Sequence, residues 1–126
     1  MGKPFNHALL RGNRLKHKAL IDRLFESGQW CKHHPVLAVY GEFDGAFQAG
    51  FSVPKRKIRS AVKRNRIKRK LREAFRLHKK EWYAGLEGLR VMFVYLAHTE
   101  REYTVISEAI ARILQTLASE KGNQIN

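Results

Sequence analysis

The chain has 126 residues, with 25 Lys and Arg against 11 Asp and Glu, and a formal net charge of +14 at pH 7. This length suits one domain with one core, and the 44% apolar content argues against a disordered polycation. The chain has no run of eighteen apolar residues and no apolar signal core, so we expect neither a membrane span nor export. The single Cys31 excludes an intramolecular disulfide and fits a reducing cytoplasm.

The positive charge is concentrated in one stretch. Fourteen Lys and Arg lie between Lys55 and Lys80, where Glu73 is the only acid. Solvated helices normally interleave acids and bases four residues apart, so this stretch indicates a surface for a polyanion. Arginine forks dock phosphates, and RNA is read mainly through shape and backbone. We therefore interpret the stretch as an RNA-binding surface.

A basic arm, residues 1–14, begins the chain. A helix is predicted from Lys16 to Ser27, ended by Gly28, because its apolar residues recur at i, i+1, i+4 and i+5. Those residues are Leu20, Ile21, Leu24 and Phe25. Residues 31–34 (CKHH) lack the second ligand pair that a structural zinc site usually has, so they are predicted to be a solvated loop.

Two strands are predicted next, over residues 35–40 and 47–53. The residues between them, 41–45, have the composition of a turn, so the strands are predicted to pair as a hairpin. Pro54 ends the second strand because proline cannot donate to a strand ladder.

The basic stretch itself is predicted to form a helix from about Ser60 to Trp82. At about 100° per residue, its apolar positions share one face. These positions are Ile67, Leu71, Ala74, Phe75 and His78, whereas Asn65, Arg69, Arg72 and Arg76 fall near the opposite side. Val62 falls among the charged residues, which indicates either an irregular first turn or packing of Val62 on the preceding loop.

The C-terminal third begins at Gly85 and Gly88, which break the helix. Residues 89–97 are apolar almost throughout, as in a strand buried on both faces. A last helix carries one apolar stripe before a frayed tail, residues 120–126. The stripe contains Ile106, Ile110, Ile113, Leu114 and Leu117. The order α-β-β-α-β-α predicts a single α+β domain over residues 1–126, with one small sheet.

Few residues could form a catalytic site in this chain. A metal-dependent nuclease needs clustered carboxylates, but the only aspartates are Asp22 and Asp44, and the basic stretch has no paired acids. The sequence has no Gly-rich phosphate loop and no zinc-finger spacing. We predict no catalytic residue and no metal ligand. The composition leaves two classes open: a structural RNA-binding protein, such as a ribosomal protein or RNA chaperone, and a DNA-binding regulator.

Two runs form a longer motif: FSVPKR at 51–56 and AVKRNRIKRKLREAFR at 61–76. Together they closely resemble the protein subunit of bacterial ribonuclease P, and the resemblance extends to Asn13-Arg14-Leu15, the Phe25 helix and the order of elements. It implies a ribosomal-protein-like fold whose βαβ crossover is left-handed, against the usual rule.

The resemblance implies a subunit that breaks no bond itself. Its partners would be the catalytic RNA of ribonuclease P and precursor tRNA, from which the holoenzyme removes the 5′ leader. The Mg²⁺ ions would be held by the RNA and the substrate. The expected location is cytoplasmic, with no membrane and no obligate protein partner.

The resemblance also implies two sets of contact residues. The RNA-binding set comprises Lys55, Arg56, Lys63, Arg64, Asn65, Arg66, Lys68, Arg69 and Arg72. A leader cleft between the first helix and the sheet would be lined by Arg14, Ile21, Phe25, Tyr40 and Phe51. Two features depart from many relatives: Ile21 replaces a second Phe, and residues 55–60 lack a Gly. For Phe25, a core position on an amphipathic helix is an equal alternative.

Overall fold

Three helices and a four-stranded sheet make up residues 18–125, the part of the chain that the computed structural model describes. In chain order they are α1 (Lys18–Ser27), β1 (Gln29–His33), β2 (Val36–Glu42), β3 (Gln48–Ser52), α2 (Ala61–Trp82), β4 (Leu89–Tyr95) and α3 (Tyr103–Ile125). A 3₁₀ turn over Tyr83–Leu86 joins α2 to β4. The predicted α+β class is confirmed, with one strand more than expected. The basic arm and Arg14 lie outside the described residues.

The sheet is mixed, with strand order β1-β2-β4-β3. β2 pairs antiparallel with β1 on one side and with β4 on the other, whereas β3 pairs parallel with β4. The predicted hairpin of residues 35–40 with 47–53 is therefore wrong, because β4 lies between those two strands. β4 is apolar on both faces and takes a central position, which leaves β3 at an edge.

Strand β1 was missed in the sequence. Residues 31–34 were predicted to be a loop, but Gln29–His33 forms an edge strand whose outer residues are exposed. Its sequence, QWCKH, is short and largely polar, so it has no apolar alternation to mark it. Its pairing with β2 over five residues makes it a strand.

Helix α2 is the crossover between β3 and β4. Two parallel neighbours need such a connection, since a tight turn can join only antiparallel strands. The register runs from Gln48 opposite Arg90 to Ser52 opposite Val94. The structure contains the βαβ unit that the resemblance implies. The left-handedness of its crossover stays a prediction.

Both faces of the sheet are buried, each by different helices. Val36, Ala38 and Tyr40 of β2 face the larger core, which α2 and α3 complete. Leu37 and Val39 of the same strand face α1, where Leu24 packs with Met92 and Val94. Among the described residues, none of the helices is long and apolar enough to cross a membrane.

The predicted apolar stripes of α2 and α3 are confirmed except at His78. Ile67, Leu71, Ala74 and Phe75 are fully buried, as are Ile106, Ile110, Ile113 and Leu114, and Leu117 is nearly so. His78 is only half-buried and hydrogen-bonds Ser107 across the two helices at 2.8 Å. Lys79 takes the next buried position of α2, and burial lowers the pKa of its ammonium group.

Two helix ends differ from the predictions. Val62 is 68% exposed inside the regular helix that starts at Ala61, so neither proposed explanation for it holds. Helix α3 continues through Ile125, although residues 120–126 were predicted to be frayed.

Gly28 ends α1, as predicted. Its N–H donates to the carbonyl of Leu24 at 2.7 Å. A Cβ at this position would lie 2.5 Å from the Leu24 oxygen and 2.9 Å from the Tyr40 oxygen. The close approach of the end of α1 to β2 therefore requires glycine here.

Candidate nucleic-acid interface

The loop before α2, residues 54–60, is ordered without a glycine. The amides of Lys57 and Ile58 both donate to the Pro54 carbonyl, at 3.0 and 3.1 Å, and the Ile58 side chain is buried. Ser60 caps α2, because its hydroxyl accepts from the Lys63 amide at 3.2 Å. The loop is thus fixed at both ends, and its exposed cations, Lys55 and Arg56, project from a defined backbone.

Arg64 holds this loop from the helix side. Its Nη1 donates to the carbonyls of Ile58 and Arg59, at 3.0 and 2.8 Å, and the residue is half-buried. Arg64 lies three residues before Ile67 and seven before Leu71, which places it on the buried side of α2. The resemblance implies that Arg64 contacts RNA. Its two hydrogen bonds within the protein also give it a structural role, which is to hold the loop before α2.

Arg66 and Lys70 share one carboxylate, that of Glu100, in the loop after β4. Arg66 donates through Nε to both oxygens, at 3.2 and 3.0 Å, and through Nη2 to Oε1 at 2.7 Å. Lys70 Nζ lies 3.0 Å from Oε2 and donates to the Arg101 carbonyl at 2.9 Å. These hydrogen bonds, from Arg66 first and Lys70 second, lower the pKa of Glu100 from 4.5 to about 2.

This cluster predicts an acid sensitivity. Because Glu100 has the lower pKa in the folded state, its contribution to stability is complete above about pH 4.5 and is lost as the pH falls towards 2. Glu100→Gln should lower the free energy of unfolding by about 2 kcal/mol at pH 6. Urea unfolding at several pH values should show this difference between the two proteins shrinking from pH 4.5 downwards. A difference that stays constant down to pH 2 would contradict the assignment.

Other predicted contact residues remain accessible on α2. Lys63, Arg69 and Arg72, here called the unpaired cations, are exposed, and their side chains make no hydrogen bond or ion pair with any residue that the structure describes. Asn65 is also exposed, and Lys68 is half-buried. Arg76, by contrast, pairs with Glu73 one turn earlier. The charge available for a phosphate therefore lies mainly on the unpaired cations and on the preceding loop.

A basic cleft of about 530 Å³ lies between the loop before α2 and the loop after β4. Lys57 and His98 approach each other across it, with Nζ and Nε2 3.5 Å apart. Its lining residues are Arg56, Lys57, Ile58, Arg59, Ser60, Lys63, His98, Thr99 and Glu100. The N-terminus of α2 adds the positive end of its dipole to this cleft, so the local potential favours an anion.

The predicted leader-cleft residues are not brought together. Ile21 lies on α1 and packs on the core that α1 covers, whereas Tyr40 and Phe51 belong to the core on the opposite face of the sheet. Phe25 is 41% exposed and belongs to neither core, so its ring is open to solvent. The alternative of a core position for Phe25 does not hold.

A second cleft, of about 230 Å³, does lie between α1 and the sheet, but other residues line it. They are Leu20, Arg23, Leu24, Ser27, Gly28, Gly41, Glu42 and Arg90. The guanidinium of Arg90 lies 3.9 Å from the centre of the Phe43 ring, and its Nε donates to Gln48 Oε1 at 3.0 Å. These contacts fix a cation at the edge of the cleft.

Arg90 and Glu100 were missed at the sequence level because their contacts are not local. Arg90 is the second residue of the predicted strand. Only the alternation of side chains between the two faces of the sheet could have assigned it to the face that α1 covers. Glu100 is separated from Arg66 by 34 residues, and no spacing rule joins them. Within residues 18–125, no group of three His, Cys, Asp or Glu residues could hold a metal ion.

These features define a class: a small basic α+β domain whose crossover helix carries one apolar face and unpaired cations. The Ribonuclease P family model matches residues 9–118, and the chain belongs to this family.

Curated relatives agree with this assignment. The ribonuclease P protein component of Porphyromonas gingivalis is 37% identical over 83 residues, which cover 63% of this chain and 61% of that protein. The component of Chlorobaculum tepidum is 39% identical over 80 residues, 58% of this chain and 52% of that protein. The chain thus spans less than two thirds of the length of these two relatives.

Solved structures show the same fold. The RNase P protein of Staphylococcus aureus gives a TM-score of 0.70 at 22% identity, over 82% of this chain and 94% of that one. The RNase P protein of Thermotoga maritima also gives 0.70, at 17% identity, over 82% and 96%.

Proposed function

We propose that this chain is the protein subunit of a ribonuclease P holoenzyme. It binds the catalytic RNA of that enzyme and the 5′ leader of precursor tRNA, and it assists removal of the leader to give the mature 5′ end. The observation that carries the proposal is the family match over residues 9–118. The unpaired cations beside the basic cleft support the proposal, because a protein binds a phosphate backbone through accessible Lys and Arg side chains.

The proposal assigns the chemistry to the RNA. The protein supplies cations that bind phosphates, and Mg²⁺ is held by the RNA and substrate oxygens. Such a division suits a surface that is rich in Arg and Lys, since those side chains neutralise phosphate charge but do not coordinate a divalent cation. The proposed location of this subunit, where it acts on precursor tRNA, is the cytoplasm.

Leader contact is proposed for the α1 side of the sheet. Phe25 offers an exposed ring, and Arg23 and Arg90 flank the second cleft. A single-stranded leader presents unstacked bases and phosphates, which aromatic rings and guanidinium groups bind. Ile21 of α1 remains a proposed contact, as does Arg14, which lies outside the described residues, while Tyr40 and Phe51 would act by supporting the sheet.

The test is a reconstitution with a bacterial ribonuclease P RNA. The purified chain alone is expected to leave precursor tRNA intact, and its addition to the RNA at low Mg²⁺ is expected to restore leader removal. The complex should also bind precursor tRNA more tightly than mature tRNA. An RNA-binding protein of another class, such as a ribosomal protein, would bind RNA without stimulating cleavage. Absence of stimulation at several Mg²⁺ concentrations would therefore overturn the proposal.

A further inference from the structure

Glu100 occupies an unexpected place for an acid, within a surface that attracts a polyanion. Its side chain is only 17% exposed, and its carboxylate is bound by Arg66 and Lys70 together. A negative charge here weakens the attraction of any RNA by long-range repulsion. A carboxylate that did nothing except offset the charge of Arg66 and Lys70 would weaken RNA binding. The geometry of its hydrogen bonds therefore indicates what else Glu100 does.

The loop that carries Glu100 is fixed from the core. The hydroxyl of the fully buried Tyr95 donates to the Thr99 carbonyl at 2.6 Å and accepts from the Arg101 amide at 2.9 Å. Lys70 binds the same loop through the Arg101 carbonyl. Glu100 is therefore held from both sides of its backbone, unlike the acid of an ordinary mobile surface pair.

Arg66 is bound along one edge only. Its Nε and Nη2 donate to Glu100, whereas Nη1 has no partner among the described residues, and the side chain is 46% exposed. A guanidinium has five N–H groups in one plane, so fixing one edge sets the direction of the others. Binding by Glu100 thus gives the free edge of Arg66 a fixed orientation before any RNA arrives.

We propose that Glu100 is a positioning residue, which orients the free edge of Arg66 towards one RNA phosphate and so favours the catalytic RNA over RNA of arbitrary structure. The inference rests on the proposed function. A long arginine side chain loses rotamer freedom when it binds, and an arginine that is already held loses less. This gain in affinity requires a phosphate at the position to which the free edge of Arg66 points. A folded RNA can hold a phosphate there, whereas a flexible strand cannot.

The test compares Glu100→Gln with Glu108→Gln. Both substitutions remove one negative charge, but Glu108 is exposed on α3 and pairs with Arg112, one turn later. We expect Glu100→Gln to bind a bacterial ribonuclease P RNA about tenfold more weakly than Glu108→Gln does, the equivalent of one charge-assisted contact. Glu100→Gln should bind a single-stranded oligouridine no more weakly than Glu108→Gln does. Circular dichroism and urea unfolding establish that each variant is folded.

A double variant separates positioning from a general structural role. In an Arg66→Ala background, Glu100→Gln should change affinity for the catalytic RNA no more than Glu108→Gln does, because the group it positions is absent. A loss that persists in this background would overturn the inference, as would equal or tighter binding by Glu100→Gln in the wild-type background. If the unaltered chain fails to bind the catalytic RNA, the proposed function fails and this inference with it.

Discussion

Replacing Phe75 by Ala is expected to lower the free energy of unfolding by about 3 to 5 kcal/mol, the cost of emptying a buried aromatic site. Phe75 is fully buried on the inner face of α2, and its ring lies 5.6 Å from those of Phe47 and Phe93 and 5.7 Å from that of Phe51. These rings come from α2, β3, β4 and the segment before β3. The substitution therefore weakens the attachment of the basic helix to the sheet, as well as the core itself.

Leu77→Ala is the matched control, two residues further along the same helix. Leu77 is 57% exposed, so its truncation should change stability by no more than about 0.5 kcal/mol. Urea unfolding followed by circular dichroism at pH 7 measures both variants. Equal losses for the two would mean that α2 is not anchored through Phe75.

The largest effect on RNA binding is expected for the unpaired cations, Lys63, Arg69 and Arg72. Changing all three to Gln should weaken binding to the catalytic RNA on the order of a hundredfold at 0.1 M salt. The slope of log affinity against log salt should become shallower by roughly 2 to 3, since each lost phosphate contact removes about 0.7 to 0.9. Because none of the three side chains binds another described residue, the fold should be unaffected.

The control for this triple variant has the same change in net charge at distant positions. Lys18, Lys32 and Arg112 are exposed and lie outside the basic stretch, on α1, β1 and α3. Changing these three to Gln should leave the salt slope within about one contact of the wild-type value. Equal weakening by both triple variants would show that net charge, and not the α2 surface, determines binding.

The helices could be predicted from the sequence because their signal is local. Ile67, Leu71 and Phe75 repeat at the helical period, and their burial follows from that repeat alone. The same repeat could have assigned Arg64 to the buried side, but its charge suggested the opposite. A cation at such a position needs acceptors, and the carbonyls of Ile58 and Arg59 provide them.

The pairing of the strands could not be predicted in the same way. Two neighbouring apolar segments joined by a turn suggest a hairpin. In the sheet, however, β4 lies between β2 and β3, although it begins 47 residues after Glu42 in the chain. Pairing over such distances depends on which strand can be buried on both faces. The cluster at Glu100 depends on the same long-range arrangement, so it becomes visible only in the folded chain.

The hydrogen bonds of Arg64 have a consequence for the speed of complex formation. Arg66 shares with Lys70 a carboxylate that offsets part of its charge, but Arg64 is bound to two neutral carbonyls, which leave its charge intact. A charge that is held in place and uncompensated still contributes to the field that draws a polyanion inwards from several ångströms away. Under the proposed function, Arg64 is expected to accelerate the encounter with RNA even where no phosphate touches it, whereas contact residues govern how long the complex lasts.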